Sequence, residues 1–371
     1  MPKVQAAVLV AAEKLEIQEF DLPTVSDDNA IVEIEACGLC GSDIEQFDGR
    51  FESFGVSYPT IPGHEPIGRI AEIGRSAAQH WGVAVGDRVA VEPLIGCGRC
   101  VGCLTGHRNR CSSPPAGTRV NSYGYVPATT APGLWGGYAQ YLHLDPMSVV
   151  HRVDPALPLE LAVLYQPVGC GIRWFAHDSG LRLGDAIVIL GCGQRGLTGV
   201  VAAREAGAGQ IIVTGLRADE HKLTLAKKFG ADATIVADEQ DVVAAVLELT
   251  GGQGADVVVD VAAVSMQPIV DAVDIARRGG TIVISALKGS GRTVPGLVPD
   301  KLVLKELTIK GLAAQDMRAY IPALRLLESR KYPLELMHTH TFALSEAELA
   351  VRTLAGRVPG ERAISVMLDP R

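Results

Sequence analysis

The sequence is poor in aromatic residues, at 5 %, and carries no excess of positive charge: 34 Lys and Arg stand against 42 Asp and Glu, a formal charge of -8. That balance argues against nucleic acid as a partner, because a polyanion is held by a basic face. No apolar run approaches the ~20 residues that cross a bilayer, so no membrane partner is expected. The N-terminal stretch MPKVQAAVLVAAEKLEIQ lacks an uninterrupted apolar core, since Glu13, Lys14 and Glu16 break it. Without an export signal the expected location is the cytoplasm. Thiols stay reduced there, and clustered cysteines more often hold metal than pair as disulfides.

What is present points to a globular α/β protein. The 371 residues suggest about two domains, at roughly 150 residues each. Hydrophobic residues make up 47 %, enough for full cores, and the 41 glycines suit a sheet-rich fold with many tight turns. Residues 1 to about 160 read as short strands separated by long loops: IVEIEACG from Ile31, GRIAEIG from Gly68 and DRVAVEP from Asp87. From about 160 onward strands alternate with helices. The strands AIVIL, ATIVA, ADVVVDVA and GTIVISA are continuous apolar runs, as expected when both faces are covered. The helix PIVDAVDIARRG is expected to run to Gly279. This alternation predicts a doubly wound parallel sheet. An amphipathic helix, AYIPALRLLESRK, and a final strand, AISVMLDP, follow. That tail is too short for a core of its own and is expected to pack on the first domain.

Four of the eight cysteines fall in GCGRCVGCLTGHRNRC: Cys97, Cys100, Cys103 and Cys111. Four thiolates at this spacing can enclose one tetrahedral zinc with no position left open, which marks a structural site. Two disulfides or a nucleic-acid zinc ribbon would use the same spacing. The missing export signal disfavours the first and the acidic charge the second.

Gly191, Gly193 and Gly196 form G-x-G-x-x-G directly after the strand Ala186–Leu190 and at the start of a helix. That context is what makes the motif a dinucleotide turn, with Gln194 and Arg195 between its glycines. The next strand ends Val213-Thr214-Gly215, where an acidic residue for the adenosine ribose is usual, and Arg217 stands close by. Arg217 facing a 2′-phosphate and Arg217 exposed to solvent remain open, so the cofactor is NAD or NADP.

Cys40 in GLCGSD, with His64 and Glu65 in PGHEP, offers a thiolate, an imidazole and a carboxylate: a plausible catalytic zinc shell. Taken together, GLCGSD, PGHEPIGRIAEIG, GDRVAVEP, the four-cysteine loop, WGGYAQY and GCGQRG resemble, in order, the zinc-dependent medium-chain dehydrogenases, with the polyol, sugar and secondary-alcohol branch nearest. The resemblance implies a GroES-like catalytic domain over residues 1–160, with a C-terminal return over 314–371, and a Rossmann domain over 161–313. It implies two zincs per subunit, an alcohol or ketone substrate, hydride transfer with NAD or NADP, and a homodimer or homotetramer. Cys40, His64 and Glu65 then match metal-binding positions, and Gln166 falls where Cys or Glu is usual. Asp43 matches the carboxylate that orients the zinc histidine. Ser42 matches the hydroxyl that passes the alcohol's proton outward, and Glu45 stands where a relay His is common. Cys170 is read as packing. Phe47, Phe51, Phe54 and Trp135 are candidates for an apolar substrate pocket. A zinc-free reductase on the same fold and a binding protein without turnover are the alternatives.

Overall fold

The structure, a computed structural model, describes residues 3–112, 122–289 and 291–371. The chain divides into two compact units. One comprises Met1–Tyr165, Leu324–Arg330 and Leu334–Arg371, and the other Gln166–Ala323 and Lys331–Pro333.

The first unit is β-rich. Strands β1 (Lys3–Ala11) and β2 (Lys14–Asp21) form an antiparallel hairpin. Strands β3 (Ala30–Gly38), β4 (Glu65–Ile73), β5 (Arg88–Val91), β6 (Tyr141–Leu144) and β7 (Val150–Arg152) build a second sheet. There β3 pairs antiparallel with β4 and β6, β4 with β5, and β5 with β7. β3 is buried at every position but Glu33, with Ile31, Val32 and Ile34 supplying its β-branched bulk. Val32 and Ile34 pack with Ile70, Val89 and Leu142 in one core, and Cys37 packs with Val8, Leu9 and Tyr138 in another. Each such buried aliphatic side chain contributes about 1.5–3 kcal/mol, and Ile34→Ala would cost about 2–5 kcal/mol.

The second unit holds β8 (Ala186–Leu190), β9 (Gln210–Gly215), β10 (Ala233–Val236), β11 (Ala255–Asp260), β12 (Ala276–Ile284) and β13 (Thr308–Gly311). All pair in parallel, in the order β10-β9-β8-β11-β12-β13. The helices Gln194–Glu205, Glu220–Lys228, Val242–Leu249 and Gln267–Ile275 cross between strands. The strand order reverses between β8 and β11, the place where such sheets open a crevice for a ligand. One boundary differs from expectation. The helix ends at Ile275 rather than Gly279, because Ala276 turns extended and pairs with Ala255 of β11.

The helix Met317–Ser329 leads back to the first unit. There β14 (His338–Ala343) pairs in parallel with β15 (Ser365–Asp369), and β15 lies antiparallel to β3, with Met367 opposite Gly38 and Leu368 opposite Cys37. No helix among the described residues is long and apolar enough to cross a membrane.

Candidate active site and metal centres

The pairing of β3 with β4 places Gly38 opposite Glu65. The approach is close: a Cβ at Gly38 would lie 2.8 Å from Glu65 Oε2. Two residues beyond Gly38, Cys40 caps the short helix Gly41–Phe47 from an extended conformation (φ -110, ψ 159). Asp43 closes the cap by accepting the Cys40 N–H on Oδ2 at 2.7 Å. The sheet register and the helix cap thus bring Cys40 and the His64–Glu65 pair to one point. Their donor atoms lie within 4.8 Å of one another, and all three residues are buried.

Ser42 joins the group. Its hydroxyl donates to Cys40 Sγ at 3.1 Å and lies 3.3 Å from His64 Nε2. Asp43 Oδ1 is 3.3 Å from His64 Nδ1. Glu65 Oε1 is 3.9 Å from Nε2. Burial works against a charged His64, but the neighbouring Tyr125, Asp43 and Cys40 outweigh it and hold the imidazole's pKa well above its ordinary value. A thiol and two carboxylates therefore crowd one dry spot with only an imidazole to balance them. A divalent cation supplies the missing positive charge, and sulfur, nitrogen and carboxylate donors fit zinc.

Sequence reasoning missed Tyr125. Its ring lies over His64 at 5.4 Å between centroids, tilted by 34°, and its hydroxyl is 3.5 Å from Nδ1. Gly124 permits this approach: its Cα sits against Gly63 so closely that a Cβ would come 2.9 Å from the Gly63 carbonyl oxygen. Gln46 Nε2 also donates to the Gly124 carbonyl at 2.8 Å. Glu45 is neither bare nor solvated: Arg50 donates to its Oε1 at 2.8 Å, and Arg50 also pairs with Asp48 at 3.0 Å.

The four loop cysteines also converge, with all four sulfurs within 4.8 Å of one another. Cys97 and Cys103 are 3.9 Å apart, close to the ~3.8 Å edge of a tetrahedron with 2.3 Å Zn–S bonds. Backbone N–H groups of Cys103 and Ser112 aim at Cys100 and hold its thiol down to about 6, while burial pushes Cys103 up to about 12. No two of the described cysteines are joined as a disulfide.

In the second unit, the glycines of the β8 turn have distinct environments. Gly191 has φ +109, and a Cβ on it would press on the Ala262 backbone. A Cβ on Gly196 would lie 2.0 Å from the Gly191 carbonyl oxygen. Gly193 has nothing within 4 Å of its Cβ position, and it caps the helix Gln194–Glu205. An open glycine at a helix N-terminus is a cradle that fits a phosphate. Gln194 opens that helix. Arg195 turns inward: its guanidinium lies 4.8 Å from the Trp174 ring centroid and donates to Cys170 Sγ. Cys170 is therefore more than packing, since Gln315 also donates to its sulfur. Gly215 packs against Cys192, whose sulfur would be 2.5 Å from a Cβ there. Arg217 is half-exposed but engaged, with Glu239 at 2.6 Å and Glu220 at 3.4 Å.

Gln166 begins this unit. It is buried, its backbone carbonyl accepts from Gln315, and its side-chain Oε1 has no hydrogen-bond partner among the described residues. Of the candidate pocket aromatics, Phe47 and Trp135 do not qualify. Phe47 is locked in the core with Leu9 and Tyr138, and Trp135 is packed between Tyr123 and His143. Burying these large rings within the cores is what excludes them from a binding surface.

Comparison with known proteins agrees with this architecture. Residues 26–155 match the family model of the alcohol dehydrogenase GroES-like domain, and residues 196–329 match that of the zinc-binding dehydrogenases. The chain is 43 % identical over 368 residues to a Mycobacterium tuberculosis protein described as a probable alcohol dehydrogenase, covering 99 % of this chain and 98 % of the relative. It is 30 % identical to the erythritol/L-threitol dehydrogenase of Mycolicibacterium smegmatis, covering 99 % and 98 %. A Sinorhizobium meliloti protein described as a putative zinc-binding dehydrogenase, solved bound to NADP, superposes with a TM-score of 0.86 at 26 % identity over all of both chains. The chain belongs to the zinc-type medium-chain dehydrogenase/reductases, NAD(P)-dependent oxidoreductases of alcohols and polyols that work with zinc and a nicotinamide cofactor.

Proposed function

We propose that Cys40, His64 and Glu65 hold a catalytic zinc at which a secondary alcohol is oxidised, or its ketone reduced, and that a second zinc in the Cys97, Cys100, Cys103 and Cys111 loop is structural. The observation that carries the reading is the convergence of the three buried donors within 4.8 Å, with the Ser42 hydroxyl lying against two of them. Zinc bound there supplies electrophilic polarisation of the substrate oxygen. The chain's own residues do the rest. Asp43 fixes the His64 ring through Nδ1, so that Nε2 faces the donors. Ser42 accepts the alcohol's proton and passes it outward. A relay on to Glu45 requires its pair with Arg50 to open. Gln166, with its buried and unpartnered amide oxygen, is the proposed remaining ligand. A neutral amide leaves the donor set less negative than Cys or Glu would, so the metal is more acidic and less firmly held.

The first unit is the proposed catalytic domain and the second the dinucleotide domain, with Gly191, Gly193, Gln194, Arg195 and Gly196 forming the phosphate turn and Gly215 at the end of β9 beside the adenosine ribose. Within that turn Arg195 is a buttress held by Trp174 and Cys170. We propose NAD over NADP, because Glu239 and Glu220 already neutralise Arg217 and would repel a 2′-phosphate. A homo-oligomer is supported by the edge strand β13 with Val303, Leu304 and Ile309 exposed beside it. A cytoplasmic setting suits the four loop thiols, which must be reduced to act as ligands.

The test is coenzyme reduction with a panel of secondary alcohols, read beside zinc content by mass spectrometry. Turnover with NAD that follows the zinc in the Cys40 cluster is expected. Full turnover without that zinc would refute the assignment. Glu239→Gln should raise the NADP-to-NAD ratio of kcat/KM about five-fold, and an unchanged ratio would remove the coenzyme argument.

A further inference from the structure

A row of aromatic rings starts on the imidazole of the metal cluster and ends in solvent. His64 lies 5.4 Å from Tyr125, Tyr125 lies 5.6 Å from Phe51 at 42°, and Phe51 lies 5.8 Å from Phe54 at 89°. The last ring is 54 % exposed. Phe51 and Phe54 stand on the turn Arg50–Phe54, which follows directly on the helix that Cys40 caps. The sequence is poor in aromatics, with only 7 Phe and 8 Tyr in 371 residues. Three of them in one contact series that leads from a zinc donor to the surface is therefore a concentrated feature.

Several polar groups beside the row pair with one another, while Asp48 Oδ1 and Gln46 Oε1 are buried without a partner among the described residues. Arg50 holds Glu45 at 2.8 Å and Asp48 at 3.0 Å, and Arg357 holds Asp48 at 2.6 Å. The Tyr125 hydroxyl points to His64 Nδ1. A polyol placed along this wall would lose water from several hydroxyls and find ring faces instead of partners, which is costly for each buried hydroxyl. A flat apolar group meets the opposite situation, because aromatic rings pack on it at centroid separations of 4.5–7 Å in tilted or edge-on geometry.

We propose that the Tyr125–Phe51–Phe54 row is the substrate wall of the catalytic unit, and that it selects secondary alcohols carrying an aryl or cycloalkyl group on the carbinol carbon over polyols of similar size. This rests on the zinc assignment for Cys40, His64 and Glu65. The carbinol oxygen sits at that cluster, and the apolar group reaches outward along Phe51 towards Phe54.

The test measures kcat/KM of the zinc-loaded enzyme for 1-phenylethanol, 2-propanol and erythritol. The proposal expects 1-phenylethanol to exceed erythritol by at least about ten-fold. It expects Phe51→Ala to lower the 1-phenylethanol-to-2-propanol ratio about ten-fold, and Phe54→Ala to lower it about three-fold, with zinc content unchanged. Should Phe51→Ala not fold, Phe51→Leu keeps the apolar bulk without the ring, and a drop in the same ratio is expected. A preference for erythritol, or a ratio that neither position moves, overturns this inference and leaves the dehydrogenase reading intact. Absence of turnover with all three alcohols and both coenzymes overturns the dehydrogenase reading, and this inference falls with it.

Discussion

The two cysteine-bearing clusters of the first unit are opposites in construction. The loop cluster draws four like donors from fifteen consecutive residues, all partly exposed, around a stretch with few apolar contacts of its own. The Cys40 cluster draws three unlike donors from a helix cap and the start of β4, all buried, on a sheet that is fully packed around them. On the proposed assignment, a metal in the loop would supply fold where the scaffold is weak, and a closed shell of identical sulfurs would serve. A metal at the Cys40 cluster would be free to do chemistry where the scaffold is strong, with mixed donors leaving room for a substrate.

Breaking the loop cluster should therefore have the largest effect on stability. Cys100→Ala should lose its zinc and lower the thermal midpoint by more than about 10 °C, read by calorimetry, because zinc binding there is folding energy. An unchanged midpoint would mean that the loop folds on its own contacts. Ser42→Ala should act on chemistry alone, lowering kcat about 100-fold with the midpoint within a few degrees. A loss of both together would place Ser42 in the scaffold. Gln166→Glu sharpens the contrast in affinity. It should slow release of the catalytic zinc to a chelator by about ten-fold and leave the loop zinc untouched. Equal release rates would remove Gln166 from the donor set.

A pH titration calibrates the scaffold itself. His143 is buried against Trp135 and burial lowers its pKa to about 4. The unfolded chain binds a proton there near pH 6.5 while the folded chain does not. Stability should fall as pH drops from about 6.5 towards about 4, by up to roughly 1.4 kcal/mol per pH unit, and this term should be flat above that window. Denaturant titrations of wild type and His143→Leu at each pH isolate the term as their difference. Parallel pH profiles would show that His143 titrates alike in both states.

How much could be read in advance follows the same division. The convergence of the loop cysteines and the geometry of the β8 turn were legible because both follow from spacing along the chain. The open Gly193 and the crowded Gly196 behave as their order in the motif implies. The parallel strands were legible because burial on both faces leaves continuous apolar runs. The hairpin β1–β2 and strand β14 were not, because β2 and β14 are buried at no position and so lack the apolar run that marks a covered strand. Tyr125 was invisible because its approach to His64 depends on Gly124 meeting Gly63, a contact between positions 61 apart. The ion pairs of Arg217 and Glu45 were hidden for the same reason: their partners Glu239 and Arg50 are set by turns whose geometry the sequence does not display.

The central claim is that Cys40, His64 and Glu65 hold a zinc separate from the one in the loop, and that turnover depends on it. Zinc per chain, counted by mass spectrometry in wild type and Cys40→Ala beside their turnover and melting curves, tests it most directly. Two zincs are predicted in wild type. In the variant one zinc, a near-normal melting curve and no turnover are predicted. A variant that keeps both metals, or keeps its full rate with one, would contradict the account.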